Sequence, residues 1–197
     1  MTYNQVRKGF NYFYVKRKVL PDGINTVPLT MTLSPWEDYN VLVLNASRDC
    51  LSNDYQSAIF KHGIVFKTCT QLFMYEMAVY HDAPRLAADM LKARDGRKMM
   101  NIAKSLKVKP SWYADRERIM QDVVRLKIDN IKQRVVLELR ECGTRQIVQP
   151  GERANGHFTC GLSQRMAEIT NPLQFPGSNM MSVFWHNLMN DDRFMRT

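Results

Sequence analysis

Residues 111–142 read SWYADRERIMQDVVRLKIDNIKQRVVLELREC, and this stretch decides the fold class. Apolar residues recur along it at intervals of four and three, which places them on one face of an α-helix. The stripe consists of Met120, Val124, Ile128, Ile131, Val135 and Leu139. Gly143 follows, at a position where glycine commonly ends a helix. The stretch therefore predicts one long helix with a single core-facing side.

The residues before this helix predict three shorter helices. The first begins near Thr68 and ends near His81. Asp82 is placed to cap the second helix, which covers residues 85–93 and has a proline in its first turn. The third covers residues 97–106 and follows an Asp-Gly pair that separates it from the second. The middle of the chain is therefore expected to be helical throughout.

The two ends of the chain have a different pattern. Residues 11–20, 26–33 and 39–45 are rich in aromatic and β-branched side chains, which favours strands. The tail after Gly143 contains many glycines and prolines and is expected to be irregular, returning to helix over residues 178–189. Together these patterns predict an α+β fold that is mainly helical, with a small N-terminal β-sheet.

The composition is that of an ordinary globular protein. The chain has 197 residues, of which 45% are apolar and 24% charged, and it contains neither a repeat nor a linker, so a single domain of residues 1–197 is expected. No apolar run approaches the roughly 20 residues that cross a bilayer, and the N-terminus lacks a signal-like apolar stretch. We therefore expect a cytoplasmic protein without membrane contact.

The four cysteines are Cys50, Cys69, Cys142 and Cys160, and no two of them form a CxxC pair. This spacing predicts reduced thiols and argues against a zinc site or a disulfide framework. The four histidines are isolated along the chain, and no P-loop, dinucleotide-binding fingerprint, HExxH motif or nucleophile elbow is present. We expect neither a metal nor a cofactor.

The net charge of +9 predicts a partner that carries phosphates or acidic groups. The excess of positive charge is concentrated between Lys92 and Arg134, a stretch that contains thirteen Lys and Arg residues but five Asp and Glu residues. The alternative interpretation is that these cations cover the solvent side of amphipathic helices.

A more specific pattern begins at Leu51-Ser52-Asn53. It is followed ten residues later by Gly63, and then by residues 66–73, which read FKTCTQLF. This order resembles the entry motif of the NADAR (YbiA-like) family. In that motif an (F/L)-S-N turn, a short strand ending in a glycine turn, and an aromatic-x-(S/T)-x-E-H-x-F helix start follow at the same spacing.

Later segments are similar to the family in the same order. They are an Arg-bearing turn at residues 93–98, a W-x(6)-V/I-M-x(6)-K helix at Trp112, Ile119-Met120 and Lys127, and late glycine segments at Gly161 and residues 177–179. The resemblance covers about residues 51–188. It implies a NADAR-like core of residues 51–190 behind a strand-rich N-terminal extension of residues 1–50.

The resemblance implies binding of an ADP-ribose-like or related nucleotide and cleavage of an N-glycosidic bond. Such cleavage passes through an oxocarbenium-like state and needs a carboxylate near the anomeric carbon or a positioned water. This sequence departs from the family there. Thr70 occupies the position of the helix-start glutamate, His157 falls near that of a late acidic residue, and Cys160 replaces a tryptophan. A threonine hydroxyl without a helper is no general base at neutral pH.

Glu76, Asp54 and His157 remain as candidate replacements in catalysis beside the altered Thr70 position, and each also has an interpretation as an exposed or capping residue. The resemblance further implies ligand contacts from Ser52, Asn53, Gly63, Arg94, Arg97, Lys98, Trp112, Cys160, Gly161 and Asn179. Pyrophosphate is recognised by helix N-termini, glycine loops and Arg or Lys. Arg94, Arg97 and Lys98 in particular are of a type that can bind phosphate without cleavage.

Three functions therefore stay open. The first is a counter-defence protein that neutralises a DarT-type DNA ADP-ribosyltransferase toxin, by inhibiting the toxin or by binding or removing ADP-ribose. Some phage-encoded NADAR proteins are implied to act in this way, and the location would then be the host cytoplasm. The second is an active N-glycosidase on ADP-ribosylated nucleobases or a related nucleotide. The third is a basic accessory protein that binds nucleic acid through phosphates.

Overall fold

The computed structural model describes residues 12–14, 39–45, 48–93, 95–151 and 156–196. The predicted strand at residues 26–33 lies outside these ranges. Helices dominate over two small β-sheets, which confirms the predicted α+β, mainly helical fold class. Among the described helices, none combines the length and the apolar composition needed to cross a bilayer.

The described elements are short apart from one long helix. The strands are β1 (Tyr12–Tyr14), β2 (Tyr39–Val43), β3 (Ile59–Lys61), β4 (Ile64–Phe66) and β5 (Gln146–Val148). The helices are α1 (Cys69–Tyr80), α2 (Pro84–Lys92), α3 (Gly96–Ala103), α4 (Trp112–Cys142), α5 (Gln164–Ile169), α6 (Met180–Met189) and α7 (Asp192–Met195), with a 3-10 turn at Pro172–Gln174. The chain divides into two compact units, a sheet unit of Met1–Asn45 and Leu139–Arg196 and a helical unit of Ala46–Glu138.

The sheet unit is built on three parallel strands in the order β1-β2-β5. In the centre of the sheet, Val41 of β2 pairs with Gln146 of β5, and two residues further on Val43 pairs with Val148. Its core consists of Val41, Val148, Cys160 and Ala167. Helix α6 packs on β5 and buries Trp185 completely. Both sheet neighbours of β2 are therefore far from it in sequence.

The helical unit begins with the β3–β4 hairpin, in which Ile59 and Phe66 are buried while the opposite cross-strand pair, Phe60 and Val65, is exposed. Helices α1, α2 and α3 then pack together around a second cluster. Its buried members are Met74, Met90, Ala93 and Met99. Methionine is flexible and fills irregular gaps between short helices, which suits this arrangement.

Helix α4 confirms the predicted long helix almost to the residue. Its stripe is buried at Met120, Val124, Ile128 and Val135. The helix is interrupted at Ile131, whose backbone angles are φ −132° and ψ 31°. The preceding Asn130 donates its side-chain amide to the carbonyls of Ala58 and Leu126, and such side-chain bonds compete with the helical ladder.

Two local predictions are wrong. Asp82 does not cap α2: the cap residue is Ala83, whereas Asp82 has φ 55° and its carboxylate pairs with Lys109 at 2.5 Å. The tail after Gly143 is also more regular than predicted, because β5 and α5 form within it. Both elements are short, and β5 exists because β2 lies beside it.

Candidate functional site

The turn at Ser52 and Asn53 is packed directly against the start of helix α1. Both residues are buried, and the carbonyl of Asn53 accepts a hydrogen bond from the backbone N–H of Thr70 at 3.1 Å. The Ser52 hydroxyl accepts from the N–H of Asp54 at 3.2 Å. The two halves of the entry motif are therefore joined through backbone atoms.

A buried lysine supports this turn from helix α4. Lys127 is fully buried, and its Nζ donates to the carbonyl of Ser52 at 2.9 Å. Nearby, the carboxylate of Glu138 accepts from the N–H of Cys50 at 2.9 Å. Because a buried charge is costly unless it is hydrogen-bonded, these contacts fix the position of the turn relative to α4.

The first turn of α1 is capped by Thr68, whose hydroxyl accepts from the N–H of Gln71 at 3.1 Å. Gln71 is buried; its Oε1 accepts from the N–H of Lys67 at 2.8 Å, and its Nε2 donates to the carbonyl of Leu91 at 3.2 Å. No acidic residue is present in this turn. Thr70 itself is half-buried.

Glu76 lies further along α1 and forms ion pairs with Lys61 and His62, each at 3.0 Å. Its side chain is 15% exposed and borders a cavity of about 260 Å³ that is also lined by Tyr80 and Arg118. Contacts with Lys61 and His62 hold this carboxylate against the hairpin. Glu76 therefore acts as an anchor of β3 in this structure.

Asp54 is half-buried and follows the residue that bonds Thr70. Burial is the main cause of the raised pKa of the Cys69 thiol; Lys127 lowers that pKa, whereas the carboxylate of Asp54 raises it. Asp54 thus lies within electrostatic range of the start of α1. Within the helical unit, Asp54 follows directly after Asn53, whose carbonyl accepts from the N–H of Thr70.

Trp112 is buried at the first residue of α4. Its ring contacts Phe73, Tyr80 and His81 at centroid distances of 5.4, 5.3 and 5.4 Å. The His81 Nδ1 lies 2.6 Å from the carbonyl of Met77. Trp112 is therefore part of an aromatic cluster in the core of the helical unit.

The other predicted ligand residues of the helical unit are exposed. Gly63 forms the tip of the β3–β4 hairpin together with His62, and both have positive φ angles, 74° and 54°. Arg97 and Lys98 lie in the first turn of α3, where the Lys98 N–H donates to the capping carboxylate of Asp95 at 2.8 Å. Arg94 lies outside the described residues.

In the sheet unit, Asn179 connects α6 to β5. It is buried with φ 47°, its Oδ1 accepts from the N–H of Gln149 at 3.0 Å, and its Nδ2 donates to the carbonyl of Ile147 at 3.0 Å. Its own N–H donates to the carbonyl of Thr159 at 2.9 Å. The amide therefore completes the edge of β5.

The late glycines of the sheet unit, Gly161 and Gly177, lie where two backbone segments pack closely against each other. Cys160 and Gly161 are buried, and burial raises the pKa of the Cys160 thiol. Gly177 donates its N–H to the carbonyl of Cys160 at 2.9 Å, and a Cβ at Gly177 would lie 2.2 Å from the carbonyl oxygen of Thr159. His157 is half-buried, with its ring 4.9 Å from that of Phe158.

Comparison with protein families shows a match to the NADAR domain over residues 33–187. The chain belongs to the NADAR family. The match includes both the entry motif and the late glycine segments, which confirms the resemblance predicted from the sequence. A search among curated proteins gave no match.

The NADAR assignment connects the chain with a family that has N-glycosidase-like activity. In this NADAR protein, the described residues around the start of α1 offer a buried amide, a buried lysine and a half-buried aspartate. No group of three or more His, Cys, Asp or Glu in the described ranges is arranged to hold a metal ion.

In the sequence, Lys127 and Gln71 stand only as members of the family patterns, and neither of them is assigned a role in the candidate site. Lys127 falls between Val124 and Ile128 on the apolar side of α4, so a charged residue within a core-facing stripe was the available signal. Gln71 gave no such signal, because its three partners are backbone groups that become neighbours only in the fold.

Proposed function

We propose that this NADAR protein neutralises ADP-ribosylation by a DarT-type DNA ADP-ribosyltransferase toxin, by binding the toxin or its ADP-ribose group rather than by cleaving the product. The observation that carries the proposal is the start of α1, where the Ser52-Asn53 turn still packs against the helix but the first turn lacks an acidic residue. Glycosidic cleavage depends on a carboxylate near the anomeric carbon, whereas recognition does not.

The other acid of α1 does not easily replace the missing one. Glu76 forms an ion pair with Lys61 and a hydrogen bond with the His62 ring, each at 3.0 Å, and withdrawing it would break both contacts. A carboxylate held by two partners is not free to approach the anomeric carbon of a bound ligand. These contacts support binding without turnover.

The groups that recognise phosphate are better preserved. Arg97 and Lys98 are exposed at the start of α3 and stand in no ion pair within the described residues. An arginine can bind a phosphate through two parallel hydrogen bonds, and a lysine adds a point charge. ADP-ribose carries a pyrophosphate, so it is the natural ligand of such a site.

The proposal is tested by mixing the purified protein with a DarT-type toxin, NAD and single-stranded DNA, and by following DNA modification on denaturing gels. We expect modification to fall in proportion to the protein added and to stop near equimolar amounts, since a binding inhibitor acts stoichiometrically. DNA that was modified beforehand should keep its adduct. Unchanged modification at tenfold excess over toxin would rule the proposal out.

A second candidate function is N-glycosidase activity carried by Asp54. The observation in its favour is the position of Asp54, next to the residue whose carbonyl accepts from Thr70. ADP-ribosylated guanine or thymine DNA is incubated with the wild type and with Asp54→Asn, and the released product is measured by chromatography. Turnover in the wild type that disappears in Asp54→Asn favours this candidate, while inhibition of the toxin by both proteins favours the first.

Calorimetry with ADP-ribose separates recognition from catalysis. We expect the wild type to bind ADP-ribose and Thr70→Ser to bind with the same affinity, because the variant keeps a hydroxyl at the same place. Thr70→Glu adds a carboxylate at the start of a helix, where a negative charge is stabilised by the helix dipole. Release of base from modified DNA by Thr70→Glu alone would place residue 70 at the reacting bond.

A further inference from the structure

Helices α2 and α3 have apolar inner faces and basic outer faces. In α2, Ala87 and Met90 are buried, while Arg85 and Lys92 are exposed seven residues apart, two helical turns along one side. The intervening residues on that side, 88 and 89, are exposed as well. Helix α2 therefore presents one continuous solvent face.

Helix α3 repeats this arrangement. Met99 is buried in the methionine cluster, whereas Arg97, Lys98 and Lys104 are exposed. Lys107 is exposed in the segment that follows. We call the six exposed cations of this region the basic face: Arg85, Lys92, Arg97, Lys98, Lys104 and Lys107.

The charge of the basic face is not compensated locally. Residues 84–93 and 95–109 contain two acidic residues, Asp89 and Asp95, and Asp95 serves as the cap of α3. Six cations minus two anions leave +4 on the basic face and its acidic neighbours. Within the described parts of the chain, none of the six cations forms an ion pair.

The surroundings of the basic face select its partner. No large apolar side chain is exposed in residues 84–93 or 95–109. Protein interfaces usually bury a central aromatic or aliphatic anchor, and membrane-surface helices insert an apolar face. Nucleic-acid interfaces are instead polar and strongly positive. The composition of this face therefore fits a phosphate backbone.

We propose that the basic face binds the phosphate backbone of nucleic acid without sequence preference. Phosphate contacts by lysine and arginine give affinity and orientation but do not read bases. Arg97 and Lys98 also belong to the phosphate site of the proposed function, so the test of this inference uses neither toxin nor ADP-ribose and changes neither of these two residues. A failure of one proposal therefore leaves the other standing.

The test compares two triple variants of equal charge. The face variant carries Arg85→Gln, Lys92→Gln and Lys107→Gln, which are all exposed and form no ion pair with any residue that the structure describes. The control variant carries Arg118→Gln, Arg125→Gln and Arg196→Gln, each from an ion pair with an aspartate. Both lower the net charge from +9 by three, and circular dichroism verifies that both are folded.

Binding is measured by fluorescence anisotropy with a labelled 20-nucleotide single strand and with the corresponding duplex, at several salt concentrations. For the single strand, each lost phosphate contact lowers the salt slope by about 0.7, so the face variant should lose about 2 in slope and roughly 10- to 100-fold in affinity near 0.1 M salt. The control variant should stay within about threefold of the wild type, since each of its cations has an aspartate neighbour and none belongs to the basic face.

Three results would overturn the proposal. The first is a wild type that binds neither nucleic acid. The second is equal weakening of the two variants, which would mean that net charge alone is responsible. The third is displacement of the DNA by poly-glutamate at the same charge concentration, which would indicate an acidic protein as the partner.

Discussion

Replacing Asn179 tests the most constrained polar residue of the sheet unit. Its side chain satisfies two backbone groups of the β5 region, the N–H of Gln149 and the carbonyl of Ile147. Its backbone has φ 47°, in the left-handed region. Both glycine and alanine remove the side-chain hydrogen bonds, but only glycine also relieves the left-handed backbone.

The magnitudes follow from these two contributions. Asn179→Gly relieves the backbone but leaves two buried groups without their partner, which costs about 2–6 kcal/mol at about 1–3 kcal/mol for each group. Asn179→Ala loses the same hydrogen bonds and keeps a Cβ in the left-handed region, which costs about 1–2 kcal/mol relative to glycine. We expect the order of stability to be wild type, then Asn179→Gly, then Asn179→Ala.

The assay is urea unfolding followed by tryptophan fluorescence, since Trp185 is buried in the same helix that Asn179 begins. Asn190→Ala provides the control, because Asn190 is exposed and has ordinary helical angles, and a change there should stay within about 0.5 kcal/mol. Direct ligand contact by Asn179 predicts a different outcome, normal stability with reduced affinity for ADP-ribose. Wild-type stability in both Asn179 variants would refute the structural role.

Three further predictions use other parts of the fold. Gly177→Ala should prevent stable folding of the sheet unit, because the added Cβ would meet a backbone carbonyl. Gly96→Ala should be neutral or slightly stabilising, because nothing lies within 4 Å of the added Cβ. Thermal unfolding of the two variants compares these effects. Lys109 holds the pKa of the Asp82 carboxyl below its usual value through a hydrogen bond and its charge, so NMR titration should show a higher Asp82 pKa in Lys109→Gln. Because the folded-state pKa is lowered, the contribution of this pair to stability is present above the usual pKa of an aspartate and is lost as the pH falls through the lowered pKa of Asp82. All four cysteines are buried, and burial raises the pKa of the Cys50, Cys69 and Cys160 thiols. A thiol reagent at pH 8 should therefore react slowly with the native protein, whereas four thiols should react after unfolding. Rapid labelling of the native protein would contradict the burial.

The parts of the fold that sequence could predict are those in which the signal is local. Helix α4 repeats its apolar period from Met120 to Leu139, and the Asp-Gly pair before α3 separates that helix from α2, so both are visible in the sequence. Strand β5 has three residues, and its partner β2 lies far earlier in the chain, so no local pattern could reveal it. The role of Asn179 was hidden for the same reason, because its partners lie beside β5.

The candidate site divides in the same way. The entry motif holds Asn53 and Thr70 at a fixed spacing in the sequence, and a backbone hydrogen bond joins the two residues in the fold. The ionic partners of Glu76 could not be foreseen, because the hairpin must fold back on α1 before Lys61 reaches it. The sequence thus gives the number of charged residues correctly but does not show which of them pair with each other.

The bonds at the entry motif also explain how this site can lose its acid and keep its shape. The carbonyls of Ser52 and Asn53 and the N–H of Thr70 belong to the backbone, so the contacts they make are independent of the side chain at residue 70. A carboxylate at that position would change the chemistry available to a bound ligand without being needed for the architecture. The reverse exchange, Thr70→Glu, should therefore leave the unfolding free energy nearly unchanged while altering what happens to ADP-ribose, and a large loss of stability in that variant would mean that the hydroxyl itself supports the turn.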